Sequence, residues 1–384
     1  MSYQPEPVSA ALDQPKKLFY IDNLRIILTV LVILHHTVIA YGAAGGWYYT
    51  QKTTLMGAIV PMTIFVSLNQ SFFMGFFFLL AAFFTSSSYD RKGAGRFLSD
   101  RLLRLGVPLL FYSFILSPLV SFLVYYYTQD RINYWQYLSG YDNWIEFGVL
   151  WFVAALLVFT LVYMLWRKTA RPGRVDEQMP VPSIAYIVLF AVALGVVSFV
   201  TRIVFPVGWV LKPLGFQLGH FPQYIGLFMV GLLAYKNNWF EKLPDYTGKQ
   251  LGRCALLLLL FFPVFYIIRV KLDMPVAWYS GGFHWQSLLY AVWEQSIGIF
   301  ILTALLTRGR RSWNKSSAFL TQLSRSTFAV YIFHPLVVVS LSLSFMAWSV
   351  DPAVKLLLAA PAALVGSFLL GWIILRIPII RKII

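Results

Sequence analysis

Charged residues are scarce in this 384-residue sequence. Asp, Glu, Lys and Arg make up 12% of it, whereas a typical soluble domain contains about 25%. Hydrophobic residues make up 59%, and the mean hydropathy is +0.70. This composition excludes a soluble globular domain and predicts a polytopic membrane protein.

Acidic residues are especially few, with 15 Asp and Glu against 31 Lys and Arg, which gives a formal net charge of +16. A nucleic-acid-binding protein gathers such a charge on one face of a soluble fold. Here Lys and Arg occur in short segments between apolar runs. We therefore expect membrane lipid as a partner of this chain and no nucleic acid.

Cysteine and the common cofactor motifs are missing or nearly so. A single cysteine, Cys254, excludes an internal disulfide. The sequence has no glycine-rich nucleotide loop, zinc-ligand spacing or nucleophile elbow, so we expect no metal. Residues 1–18 lack the apolar core and cleavage site of a signal peptide. They are predicted to be a polar cytoplasmic tail, followed by a single membrane domain at 19–384.

Long apolar runs dominate the rest of the chain. Runs of about this length cross a bilayer as helices. The expected fold is therefore all-α, with about ten transmembrane helices. The ten runs lie at approximately 20–42, 59–84, 103–128, 149–166, 184–204, 221–236, 251–271, 285–306, 318–345 and 354–375.

Basic residues alternate with these runs. If every run crosses the membrane, 22 Lys and Arg residues lie on one side and seven on the other. The richer side includes Lys16 and Lys17 in the tail and Arg171 and Arg174 after the fourth run. By the positive-inside rule, both termini are predicted to face the cytoplasm.

Residues 21–42 of the first apolar run carry four ionisable residues: Asp22, Arg25, His35 and His36. In hydrocarbon such a side chain costs about 2.5–3.5 kcal/mol or more. Arg25 and His36 are eleven residues apart, about 20° past three full helical turns, so they share a face and lie roughly 16 Å apart. His35 lies about 100° away, at the edge of that face.

Asp22 and Thr29 extend the face occupied by Arg25, because they lie three residues before it and four after it. A plainer interpretation is that Arg25 snorkels to the interface and the histidines fill polar gaps between helices. The alignment of a charge near one membrane surface with an imidazole near the bilayer centre favours a functional site.

The segment between the second and third runs, residues 86–108, is strongly basic. Arg101 and Arg104 are three residues apart beside an apolar run, so on a helix their guanidinium groups share a face and suit one polyanion. Arg91 and Arg96 are better explained as ordinary positive-inside residues.

Later runs carry polar residues near the bilayer centre. Glu294 there must be paired, protonated or facing a polar cavity, and both an ion pair with an arginine and a role in the site are open. His334 directly precedes Pro335, which frees a backbone carbonyl that the histidine can satisfy, so we favour a structural role. His220 is expected at the membrane interface, and Asn69 as an interhelical hydrogen-bond donor.

Tyr and Trp are concentrated in residues 125–144. An aromatic belt at the membrane interface is the default interpretation. Rings mixed with carboxylate and amide groups also suit stacking on, and hydrogen bonding to, a sugar. The groups in question are Asp130, Asn133, Gln136, Asp142 and Asn143.

Several of these motifs resemble the integral-membrane acyltransferases of family three, which include a glucan succinyltransferase and O-antigen acetyltransferases. The resemblance covers nearly the whole chain. Its most specific element is the motif Arg, ten residues, His, present here as Arg25 and His36; an Arg-x-x-Arg motif is present as Arg101 and Arg104. Residues 81–82 are Ala-Ala, where many members have Ser-Gly.

The resemblance implies transfer of an acyl group, acetyl or succinyl, from cytoplasmic acyl-coenzyme A to a hydroxyl of a carbohydrate or other envelope acceptor, in a bacterial inner membrane. It implies His36 as general base. Arg25, Arg101 and Arg104 would hold phosphates of the donor, since a planar guanidinium binds phosphate through two hydrogen bonds. Glu294 is a further catalytic candidate that would orient an imidazole. Other candidates are Asp22, His35 and His334.

Two other functions compete with this one. Ten spans with buried Glu and His residues also describe a proton-coupled secondary transporter. The sequence shows no pair of interrupted helices or internal repeat of the kind common in transporters. A non-enzymatic scaffold or receptor is the second alternative, and it requires no function for His36.

Overall fold

The computed structural model describes residues 18–169 and 178–384, and these residues form a helical protein. Their one extended pairing is an isolated antiparallel bridge between Leu211 and Phe216. The predicted all-α fold is confirmed. The α-helices of the described residues, α1 to α16, are Phe19–Ala40, Met56–Gln70, Phe73–Arg101, Val107–Phe111, Ser117–Thr128, Tyr134–Ser139, Trp151–Thr169, Ile184–Val204, Phe221–Asn237, Trp239–Lys242, Asp245–Lys271, Ala277–Ser280, Trp285–Ser312, Ala318–Ser344, Pro352–Ile374 and Pro378–Ile383.

Eight helical stretches in the described part of the chain are long and apolar enough to cross a membrane. Together with the family assignment reported below, they confirm a multi-pass membrane protein. One stretch, Met56–Thr128, has 73 residues and contains two of the ten apolar runs. Another run corresponds to α9, which has 17 residues. The count of ten spans and the cytoplasmic placement of both termini stay predictions.

Some sequence predictions fall outside the described residues. These are the polar tail with Lys16 and Lys17, and the basic residues Arg171 and Arg174. The division into a tail at 1–18 and a single membrane domain at 19–384 also stays a prediction.

Gly93 divides the 73-residue stretch. Its φ of 70° and ψ of 168° are not helical and place a kink inside α3. A residue without a Cβ adopts this conformation without strain, which explains a glycine at this position. The basic segment 86–108 is helical on both sides of the kink, with π-helical turns at Leu102–Gly106 and Tyr112–Leu116.

The second apolar run is interrupted at the junction of α2 and α3. Phe72 has φ −139° and ψ −32°, and the Ser71 carbonyl accepts no backbone hydrogen bond from Gly75. The freed Ser71 carbonyl accepts a hydrogen bond of 2.6 Å from Gln223 Nε2. Gly298 of α13 lies against the same carbonyl, where a Cβ would collide. The interruption thus joins α2, α9 and α13.

Helix α1 lies within the bundle against α13, α14 and α15. Leu24, Leu28 and Ile33 of α1 are at most 1% exposed, so they contribute apolar burial on its full length. Close packing of α1 on α14 is what brings residues near the ends of the sequence together at one site.

Candidate active site

His36 of α1 and His334 of α14 form a hydrogen-bonded pair. His36 Nδ1 lies 2.8 Å from His334 Nε2, and the two ring planes differ by 6°. His334 is 0% exposed and His36 is partly buried. The pair joins residues 298 positions apart in the sequence.

The backbone of α14 fixes the proton positions of this pair in its neutral form. Pro335 has no N–H, so the carbonyl of Tyr331, four residues before it, lacks its helical donor. His334 Nδ1 lies 2.8 Å from that carbonyl oxygen, and because a carbonyl only accepts, Nδ1 must carry the proton. The expectation that His334 satisfies a carbonyl freed by Pro335 is confirmed.

The tautomer of His334 also determines the tautomer of His36. With its proton on Nδ1, neutral His334 presents a lone pair at Nε2, so His36 must donate from its own Nδ1. The unprotonated nitrogen of His36 is then Nε2. Hydrogen bonding of one ring nitrogen in this way leaves the other as a proton acceptor, which is what a general base requires.

Trp47 covers one face of the His36 ring. Its ring centroid lies 4.3 Å from that of His36, with 16° between the planes. The loop after α1 folds back to bring it there: Gly45 has φ +151°, and a Cβ on it would lie 2.6 Å from Ile39 Cδ1. The indole N–H of Trp47 is buried and has no hydrogen-bond partner among the described residues. Sequence reasoning missed Trp47, for which the double glycine at 45–46 was the available signal.

His35 faces other helices. It is 6% exposed, its Nδ1 lies 3.3 Å from Asn69 Nδ2, and its ring packs on Phe73 at 4.9 Å. Asn69 also donates to the Leu31 carbonyl. This places His35 in the contact of α1 with α2 and α3, and the predicted interhelical role of Asn69 is confirmed.

Arg25 lies near the other end of α1. Its Nη1 is 3.4 Å from Asp22 Oδ1, and 34% of its side chain is exposed. Its guanidinium also lies 4.7 Å from the centroid of the Phe84 ring. The Thr29 hydroxyl donates to the Arg25 carbonyl of the same helix. The polar face predicted from spacing is therefore interrupted at Thr29.

Arg101 approaches the same part of α3 as Arg25. Its Nη2 lies 3.3 Å from Thr85 Oγ1, and its guanidinium lies 5.1 Å from the centroid of Phe97. Thr85 follows Phe84 directly, so two arginines distant in sequence reach consecutive residues. Arg104 is exposed on the π-helical turn. In the described chain, neither Arg101 nor Arg104 forms an ion pair.

Glu294 belongs to a second buried cluster. It forms an ion pair with Arg202, which is 0% exposed, and its other oxygen lies 3.7 Å from His220 Nδ1. Among the described residues it forms no hydrogen bond with His36 or His334. His220 is 4% exposed, and its Nδ1 lies 3.2 Å from Arg202 Nη2; its place at the membrane interface stays a prediction.

The structure is thus a multi-pass helical protein with a partly buried, hydrogen-bonded histidine pair between α1 and α14. Comparison with known proteins identifies the class directly. The family model described as an acyltransferase domain matches residues 18–376. The chain therefore belongs to acyltransferase family 3 and is an acyltransferase.

The chain is similar to glucans biosynthesis protein C of Escherichia coli strains K12 and SMS-3-5 and of serotype O157:H7. Each is 23% identical over 327 residues, covering 82% of this chain and 80% of the relative. No solved structure matches this chain.

Residues 81–82, where the chain departs from the Ser-Gly pattern, are packed tightly. Ala82 is 0% exposed, and its methyl group fills the space beside Gly231 of α9, where an added Cβ would lie 2.7 Å from it. The Ala81 carbonyl accepts a hydrogen bond from Thr85. In this chain the two alanines thus serve the contact of α3 with α9.

Proposed function

We propose that this chain transfers an acyl group, acetyl or succinyl, from acyl-coenzyme A on the cytoplasmic side to a hydroxyl of a carbohydrate or other envelope acceptor. The observation that carries the proposal is the hydrogen-bond relay from the Tyr331 carbonyl through His334 to His36. It leaves Nε2 of His36 as a bare acceptor beside a stacked indole.

In the proposed reaction, His36 Nε2 removes the proton of the acceptor hydroxyl as its oxygen attacks the thioester carbonyl carbon. The tetrahedral intermediate collapses with cleavage of the C–S bond, and His36 returns the proton to the departing thiolate. The products are the acyl ester and free coenzyme A. General-base catalysis of this kind contributes typically about 10²–10⁴-fold.

His334 is a positioning residue in this scheme. Because it accepts from His36 Nδ1, it favours the tautomer and ring orientation that expose Nε2, and it can stabilise the transient imidazolium, as the third member of a catalytic triad does.

Arg25, Arg101 and Arg104 are proposed to bind the phosphates of the donor. Arg101 is held by an aromatic ring and one hydroxyl rather than by a carboxylate, so its guanidinium keeps donors for a phosphate. The Arg25 guanidinium contacts Phe84, the residue before Thr85, which Arg101 contacts. Arg25 lies roughly 16 Å along α1 from His36. That separation suits a donor whose phosphates and thioester are joined by a long arm.

The test is acyl transfer by the purified protein in lipid nanodiscs, using radiolabelled acetyl- or succinyl-coenzyme A. Mass spectrometry of envelope glycans from cells with and without the protein identifies the acceptor. We expect donor-dependent labelling of a carbohydrate. Proton-coupled uptake of a solute without release of coenzyme A would instead establish the transporter alternative.

A further inference from the structure

A cavity lies beside the helices α5 and α6. Its volume is about 340 Å³, within the range of about 300–1,000 Å³ typical of small-molecule sites. Three tyrosine rings line it, those of Tyr125, Tyr137 and Tyr141. They form one connected group, since Tyr137 lies 5.3 Å from Tyr125 and 5.6 Å from Tyr141 between ring centroids.

Hydrogen-bonding groups on the cavity wall are left without partners. Asp142 and Asn143 line it, and their side chains form no hydrogen bond or ion pair in the described part of the chain. The Tyr141 hydroxyl is buried and likewise has no partner among those residues. Gln136 uses its side-chain oxygen in the capping box of α6, so its amide N–H groups are available.

The cavity is connected to the proposed catalytic histidine by a run of contacts. Ser121 on its wall lies one turn after Ser117 on α5. The Ser117 hydroxyl lies 3.5 Å from that of Tyr48, whose ring contacts Trp47 at 5.4 Å. Trp47 in turn stacks on His36. Packed side chains of α5 and of the loop after α1 thus link the cavity wall to His36.

We infer that this cavity is the acceptor subsite and that it binds a neutral pyranose unit of a glycan. The flat C–H face of such a ring packs on tyrosine, and its hydroxyls pair with carboxylate and amide groups. The charged residue on the wall is a carboxylate, Asp142, which disfavours an anionic ligand. The subsite rests on the proposed function only for its role as acceptor site; binding of the sugar does not depend on it.

Gly140 offers a variant that blocks the cavity. It lines the wall, its φ is −106°, and a Cβ there would meet no atom closer than 4.0 Å. Gly140→Leu therefore fills the cavity without removing a contact. Asp142→Asn removes the unpaired charge. The matched control is Trp135→Ala, which changes an aromatic residue of α6 that is 78% exposed and is not on the cavity wall.

The experiment is saturation-transfer NMR with neutral glucose trisaccharides, α- and β-linked, on the full chain in nanodiscs. We expect signals for wild type and Trp135→Ala, and loss of binding by about tenfold or more in Gly140→Leu and Asp142→Asn, as for one lost stacked ring or charge-assisted hydrogen bond. The KM for acyl-coenzyme A should be the same in all four proteins.

Two results would overturn the subsite: no signal from any trisaccharide with wild type, or equal signals from wild type and Gly140→Leu. Failure of the proposed function gives a different result. Donor turnover is then absent from every protein, while the sugar signals are still present in wild type and Trp135→Ala and still reduced in Gly140→Leu and Asp142→Asn.

Discussion

At the scale of a single residue, a proline decides which nitrogen of His36 is bare. Pro335 has no backbone N–H, so the Tyr331 carbonyl accepts a hydrogen bond from His334 Nδ1 instead. His334 Nε2 then accepts a hydrogen bond from His36 Nδ1. Each step follows from which atoms carry protons. His35, the neighbour of His36 in the sequence, takes no part in this relay. It forms a hydrogen bond with Asn69 and packs on Phe73 instead.

His334→Ala should lower kcat about 10- to 100-fold with little change in the KM for acyl-coenzyme A. A hydrogen bond that orients the base is worth about 1.5–3 kcal/mol in this setting. The readout beyond rate is the ¹⁵N NMR spectrum of His36, which should show the Nδ1-protonated tautomer in wild type and a mixture in the variant. An unchanged kcat with an unchanged spectrum would show that the relay has no role.

Glu294→Gln should lower thermal stability. Arg202, fully buried, loses its carboxylate partner, and breaking a buried pair on one side costs about 3–5 kcal/mol. The measurement is thermal unfolding in detergent. Asp90→Asn is the control, because its pair with Arg167 is 33–41% exposed and contributes little. If Glu294→Gln lowers turnover at unchanged stability, Glu294 belongs to the catalytic site instead.

At the scale of helices, irregular segments position the groups that connect helices and the arginines proposed to bind the donor. The interruption after α2 frees the Ser71 carbonyl for Gln223. The kink at Gly93 and the π-helical turn at Leu102–Gly106 set where Arg101 and Arg104 emerge. A regular helix from residue 94 onward would give the two arginines the shared face that simple spacing predicts.

Donor binding tests this part of the fold. Arg101→Ala or Arg104→Ala should weaken acyl-coenzyme A binding about 10- to 100-fold, because a partly desolvated charge-assisted hydrogen bond is worth about 1.5–3 kcal/mol. Arg91→Ala, an exposed charge in the same basic segment, should have little effect because it is screened by salt. Isothermal titration measures all three. Equal losses would indicate a general electrostatic effect and not a clamp.

At the scale of the whole molecule, hydropathy and local spacing predicted the helical membrane fold, and chemistry predicted the His334 contact with a freed carbonyl. What they could not predict is which helices face one another. Periodicity places His36 on a face of α1, but the pairing with His334 crosses 298 residues. An ion pair of Glu294 with an arginine was one of the two predictions left open, but local spacing could not show that the arginine is Arg202 of α8.

Orientation in the membrane is a prediction for the whole chain. Ser88→Cys, in a Cys254→Ser background, should not react with an impermeant thiol reagent in intact cells, because the basic residues place this segment in the cytoplasm. Trp135→Cys should react, since it lies on the opposite side in the same scheme. Labelling of Ser88→Cys from outside would reverse the topology and the assignment of the donor side.

The central claim, that His36 is the general base, is tested most directly by one comparison: acyl transfer by His36→Ala and His35→Ala at matched expression in membranes. Removing the base should lower turnover about 10²–10⁴-fold, while His35→Ala, which alters a helix contact, should lower it far less. Wild-type turnover by His36→Ala would contradict the mechanism.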